Sequence, residues 1–258
     1  MTFFDNMLDR LGHVIARRLG KPSSGYEPFT PSDPETLRQT LRPGDVLLID
    51  GNQKLSNAIK YLTQSTWSHA ALYAGDVLAI PGDGSEPLTL IEANIGEGVI
   101  AAPLSKYASY NTRICRPVGL TPEEIQSVVR FAAARIGHKY DMRHLFDLAR
   151  YLLPTPPVPV RWRRRLIALG SGEPTRAICS TLIAQAFQSV RYPILPCVER
   201  MPGHSRTGSA YSEGEILHIR HYSLFTPRDF DVSPYFQVVK PTIEAGFDPH
   251  KLRWADGG

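Results

Sequence analysis

Apolar positions along the chain recur at two spacings, and the places where one gives way to the other outline the elements. Phe3 to Leu19 reads as an amphipathic helix, with Phe4, Met7, Leu8, Leu11, Val14 and Ile15 on one face and Arg10, Arg17, Arg18 and Lys21 on or beyond the other. Pro22 to Asp33, rich in proline with Ser and Gly, reads as a linker. Leu41-Arg42-Pro43-Gly44-Asp45 then forms a turn feeding the apolar strand Val46-Leu47-Leu48-Ile49, and Leu55 to Leu62 follows as a helix. Ser68 to Gly75 alternates as a strand, placing His69 on one face with Ala71 and Tyr73, opposite Ala70 and Leu72. Leu88 to Ala93, Gly98 to Ala101 and Thr112 to Val118 continue as strands, and an antiparallel meander is expected.

The period then changes to helical. Thr121-Pro122-Glu123-Glu124 carries a Thr cap, a proline in the first turn and Glu three residues after the cap. Ile125, Val128, Val129, Ala132, Ala133 and Ile136 supply the stripe, and Gly137 ends it. His138-Lys139-Tyr140-Asp141 is a connector, Leu145 to Leu153 a helix, and Pro154 to Pro159 its breaker. A basic segment, Arg161 to Arg165 with Trp162 inside it, precedes a loop at Gly170 to Pro174. Cys179, Leu182, Ile183, Ala186, Phe187 and Val190 then recur at helical spacing, with Cys179 in the first turn. Pro193 to Ser212 reads as a long loop, Thr226 to Phe230 as a turn, and Phe236 to Lys240 as a last strand. Strands followed by helices give an α+β class. The expected division is 1–40 as amphipathic helix and linker, and 41–258 as one domain with an insertion near 150–176.

Composition narrows the function classes. The chain has 258 residues and a net charge of +4, too mild to single out nucleic acid as a partner. No apolar run approaches the roughly 18 residues a membrane span needs, and Asp5 and Asp9 dilute the basic face of the first helix. The N-terminus lacks the pattern of a secretion signal, so a cytoplasmic location is expected. Three cysteines, an odd number, argue against a disulfide framework. No His or Cys pair has metal-ligand spacing, and neither metal nor cofactor is expected.

The chemistry centres on Cys179. Backbone N–H groups in a helix's first turn are unpaired and partly positive, which favours thiolate and can hold an oxyanion. A thiol nucleophile needs a base, and the base an orienting partner; His69 and Glu92, on separate strands, are of the right types. Blander readings stand beside these. Cys179 is also the first apolar residue of its stripe, His69 could be a satisfied core histidine, and Glu92 could be salt-bridged to some Arg or Lys.

Taken together, Leu41 to Leu47, Trp67 to Tyr73, Ile91-Glu92-Ala93, Gly137 to Asp141, Cys179 to Ile183 and the late Thr226 to Phe230 resemble the circularly permuted papain-like cysteine hydrolases. These form the YiiX/YebB-like branch of the NlpC-type superfamily, related to the lecithin:retinol acyltransferases. The resemblance implies an antiparallel sheet packed against helices, with the nucleophile at a helix N-terminus. It implies Cys179 as nucleophile, His69 as base and Glu92 as orienting residue, with Tyr140, Trp67, Ser68 and Ser180 around the substrate. A thiol hydrolase or acyltransferase acting on an amide or ester is therefore expected, with a peptide or acyl-lipid substrate. The Phe3 to Leu19 helix and the Arg161 to Arg165 segment add an expectation of peripheral membrane contact. The alternative is a non-catalytic ligand-binding module on the same fold.

Overall fold

The computed structural model describes residues 28, 33–78, 86–94, 97–139, 178–200 and 215–252. The Phe3 to Leu19 helix, Tyr140, the Leu145 to Leu153 helix, the insertion near 150–176 and the Arg161 to Arg165 segment lie outside them.

The chain enters the core through α1 (Pro34–Thr40), whose first turn is capped by Asp33. Leu37 on this helix is buried, so the packed unit already includes residues ahead of position 41. The next strand, β1 (Val46–Ile49), is buried along its length, as a central strand with both faces covered must be. It is entered through the turn read from the sequence, which Asp45 pins. The Asp45 carboxylate accepts from the Arg42 backbone N–H at 2.9 Å and from two nitrogens of Arg116, at 2.9 and 2.8 Å. A bidentate guanidinium partner is what allows so buried a carboxylate to stay charged.

After α2 (Lys54–Thr63) come β2 (His69–Tyr73), β3 (Leu88–Asn94), β4 (Gly98–Pro103) and β5 (Thr112–Pro117). Helix α3 (Pro122–Ala133) starts with the full capping box between Thr121 and Glu124. Helix α4 (Ile178–Ser189) follows, then β6 (Cys197–Arg200), β7 (Glu215–His218), α5 (Pro227–Val232), β8 (Phe236–Val239) and α6 (Pro241–Glu244).

The main sheet is antiparallel, in the order β4-β3-β2-β1-β5-β8. The expected meander holds from β1 to β4 and then ends. Strand β5 returns to the other side of β1, with Val46 opposite Cys115 and Ile49 opposite Thr112. Two further corrections concern the C-terminal part. The long loop expected from Pro193 contains β6, which pairs with β7 as a separate hairpin, so Cys197 sits on a strand. The Thr226 turn is the capped start of α5, with Asp229 accepting from the Thr226 N–H at 2.7 Å.

Each face of the sheet has its own core. Ala70, Leu72, Ile91 and Ala93 face α3, α4 and α5, among Val128, Leu182, Phe187 and Phe230. Ala71, Tyr73, Leu90 and Ile114 face the other way, against Leu37 of α1 and Leu104 and Tyr107 of the β4–β5 connection. The alternation around His69 is therefore as the pattern predicts, and the fold is α+β.

Candidate active site

Helix α4 lies across β2 and β3 and presents Cys179 from its first turn. The strands beneath it are only briefly paired. The β2–β3 register is Leu72 opposite Ile91 and Tyr73 opposite Leu90, and it goes no further toward His69. Alternation sends the N–H groups of Leu72 and Ala70 toward β3, so Ala70 points at the place where the ladder has stopped. There it donates to the Cys179 sulfur. The helix N-terminus occupies the opened end of the sheet and brings the thiol to His69.

Four groups surround the thiol. His69 hydrogen-bonds it, the Ala70 N–H donates to it, and the Ser180 hydroxyl lies 3.9 Å from the sulfur. The fourth is the start of α4, where the first N–H groups, that of Cys179 included, have no acceptor within the helix. Burial opposes ionisation of the thiol, but the charge and hydrogen bond of His69, then Ala70 and Ser180, bring its pKa below the ordinary 9.0. Burial would also push His69 down. Cys179 and Glu92 outweigh it and hold the imidazole at about 10. The two shifts describe one event, a proton resting on the ring and a negative charge on the sulfur.

Glu92 is the other anchor of the imidazole. Its Oε2 lies 2.9 Å from His69 Nε2, which leaves Nδ1 as the ring nitrogen toward the thiol. The carboxyl is fully buried, and four donors satisfy it. His69 and the Tyr107 hydroxyl meet Oε2, while the Lys106 ammonium and the Asn94 amide, at 3.1 Å, meet Oε1. A carboxylate has about four acceptor sites, so no place is left for a proton, and every neighbour is a donor, a setting that suits an anion rather than a cation's ligand. Burial would raise the carboxyl, but His69 and then Lys106 hold it at about 2. Tyr107, buried and facing this carboxylate, is pushed well above the usual phenol range.

Asn94 was legible in principle, since it lies two residues after Glu92 on the same strand face. Lys106 and Tyr107 come from the helical turn Leu104–Tyr107, and no local pattern marks them. Their only sequence signal was the rule that a buried carboxylate has partners.

The expected pocket residues fare differently. Ser180 is buried beside the Cys179 thiol. Ser68 is also buried, with its Oγ accepting from the Gly51 N–H at 3.0 Å. A side chain at Gly51 would run into that oxygen, so the close approach requires glycine. Trp67 packs in the core, its indole N–H donating to Asp231 at 2.9 Å while the Arg113 guanidinium lies 5.0 Å from its ring centroid. Both are committed to the scaffold under His69. The other cysteines lie elsewhere: Cys115 is buried in β5, where burial pushes its thiol up, and Cys197 is exposed. Among the described residues no group of three or more His, Cys, Asp or Glu is arranged to hold a metal, and no helix is long and apolar enough to cross a membrane.

An antiparallel sheet whose opened end receives a cysteine-bearing helix N-terminus, with His and Glu on successive strands, is a papain-like arrangement in permuted order. Residues 40–151 match the sequence model of the family described as permuted papain-like amidase enzyme, YaeF/YiiX, C92 family, and over this segment the chain resembles that permuted papain-like family. The matched segment contains His69, Glu92, Lys106 and Tyr107 and ends before Cys179. A crystal structure of metalloprotein yiiX from Escherichia coli O157:H7 is 16% identical, with a TM-score of 0.45 over 78% of this chain and 97% of that one. Among curated proteins, the Holliday junction branch migration complex subunit RuvB of Chlorobaculum parvum is 28% identical over 60% of this chain and 46% of its own length. The same subunit from Campylobacter concisus is 26% identical, over 60% and 48%. The chain thus spans about half the length of the curated relatives it matches. Likenesses this low and partial add nothing to the resemblance over residues 40–151.

Proposed function

We propose that the chain is a thiol hydrolase that cleaves an amide through an acyl-enzyme on Cys179. The observation that carries this reading is the single chain of contacts Glu92–His69–Cys179 at a helix N-terminus, with the thiol shifted down and the imidazole up. The thiolate attacks the carbonyl carbon, and the N–H groups at the start of α4 receive the oxyanion. Collapse expels the amine, which takes the proton from His69 Nδ1, and leaves a thioester. Water then gives a proton back to Nδ1 as it attacks. Breakdown of that second intermediate releases the acid and restores the thiolate beside a protonated ring. Glu92 holds Nε2–H throughout and balances the imidazolium charge. The buried Ser180 hydroxyl, 3.9 Å from the sulfur, supports the thiolate, and Tyr140 stays an expectation of the resemblance.

Amide is chosen over ester because the family is described as amidase. The same thioester could pass its acyl group to an amine or alcohol, which would make the enzyme a transferase.

The test is a panel of acyl-aminocoumarin amides and matched esters, from short peptidyl to long-chain acyl, with the acyl-enzyme trapped by acid and located by mass spectrometry. Acyl mass on Cys179, absent from Cys179→Ala, is the expected result. Amide turnover that survives Cys179→Ala would overturn the reading, as would a thiol no more reactive at pH 6 than free cysteine.

A further inference from the structure

Glu92 makes more contacts than orienting an imidazole requires. Of its two oxygens only Oε2 faces His69, while Oε1 is held by Lys106 from outside the proposed reaction path. Lys106 itself lies between protein and solvent, its side chain 37% exposed, whereas Glu92 is wholly enclosed. Four charges therefore run in alternating sign from surface to nucleophile: ammonium, carboxylate, imidazolium, thiolate.

We propose that Lys106 is a positioning residue whose positive charge sets the pH range in which the Cys179–His69 ion pair exists. The inference rests on the thiol-hydrolase reading and says what tunes that site. With Lys106 the chain of charges is neutral; without it one uncompensated negative charge remains in a buried place, where charges interact more strongly than in water. The direction follows from sign alone. Loss of a nearby positive charge makes the thiolate harder to form and the imidazolium harder to deprotonate. Both ionisations therefore move to higher pH together.

The other groups facing Glu92 cannot act in the same way. Asn94 and Tyr107 are neutral donors, and Glu97, which accepts from Asn94 at 2.8 Å, is an exposed acid one residue further out. Tyr110 meets Tyr107 edge-on, with ring centroids 5.9 Å apart, and supports its ring. His69 and Cys179 are themselves the titrating pair. Lys106 is therefore the one cation among the described groups facing this carboxylate that does not belong to the reacting pair.

The experiment is the pH dependence of Cys179 alkylation by iodoacetamide in the full chain, read peptide by peptide, beside the pH profile of hydrolysis. In Lys106→Met the alkylation midpoint and both limbs of the hydrolysis profile should move up by roughly half to one pH unit. Lys106→Arg should restore the wild-type profile. Lys106→Gln keeps an N–H for Oε1 without the charge, so it should move like Met and serves if the Met variant folds poorly. Profiles for Met and Gln that superimpose on wild type, with activity merely reduced, would show a structural role and overturn the inference. A wild-type Cys179 with ordinary thiol reactivity would instead overturn the hydrolase reading, and this inference with it.

Discussion

Replacing Glu92 by glutamine keeps the shape of the side chain and removes its charge, and two independent estimates of the cost agree. The first counts hydrogen bonds. The carboxylate receives His69, Tyr107, Lys106 and Asn94. An amide has one oxygen to accept with and an NH2 that faces donors, so about two of the four bonds are lost. Each charge-assisted bond is worth about 1.5–3 kcal/mol, and Lys106, being partly exposed, recovers some of its share from water. That gives about 3 kcal/mol. The second estimate uses linkage. A carboxyl held at about 2 in the fold rather than 4.5 contributes about 3 kcal/mol at neutral pH. The sign is that of a depressed acid. Its contribution is complete above pH 4.5 and disappears as pH falls through 2. Urea unfolding of wild type and Glu92→Gln, at pH 7 and again near pH 2.5, measures both. The gap should be about 3 kcal/mol at pH 7 and mostly closed at the lower pH. A pH 7 gap below about 1 kcal/mol, or one that does not shrink in acid, would refute the account of Glu92 as a fully satisfied buried anion.

Other expectations follow from the same contacts. His69→Ala and Cys179→Ala should each lower kcat/KM by roughly 10⁴-fold or more, with the double variant little worse than either; additive losses would separate the two residues mechanistically. Trp67→Phe, which removes the donor to Asp231, should cost about 1–2 kcal/mol in urea unfolding, whereas a raised KM at unchanged stability would return Trp67 to the substrate pocket. Gly98→Ala should lower stability by about 2 kcal/mol or more in a thermal melt, because φ is +84° and a Cβ would lie 2.2 Å from the His138 carbonyl oxygen.

What the sequence conveyed, and what it withheld, divides along physical lines. Elements whose two faces meet different surroundings were legible, because alternation records which face is buried: the β2 pattern around His69 and the stripe behind Cys179 are cases. Strand neighbours were not legible, since period two says nothing about which strand lies alongside. The return of β5 to β1 depends on pairs such as Leu47 with Ile114, far apart in sequence. The β6–β7 hairpin escaped for a related reason. It is short, pairs only with itself among the described residues, and leaves Val198, Ile216 and Leu217 exposed, so no buried stripe advertises it. Glu92 carries the most instructive lesson. In the sequence a salt bridge to a basic side chain and a bond to His69 read as alternatives for Glu92, whereas the fold makes both. A buried carboxylate needs about four donors, and in this fold its two oxygens divide them: His69 and Tyr107 at one, Lys106 and Asn94 at the other. For a buried acid on a strand, the useful question of a sequence is therefore how many donors can reach it, and from which connecting turn the missing ones must come.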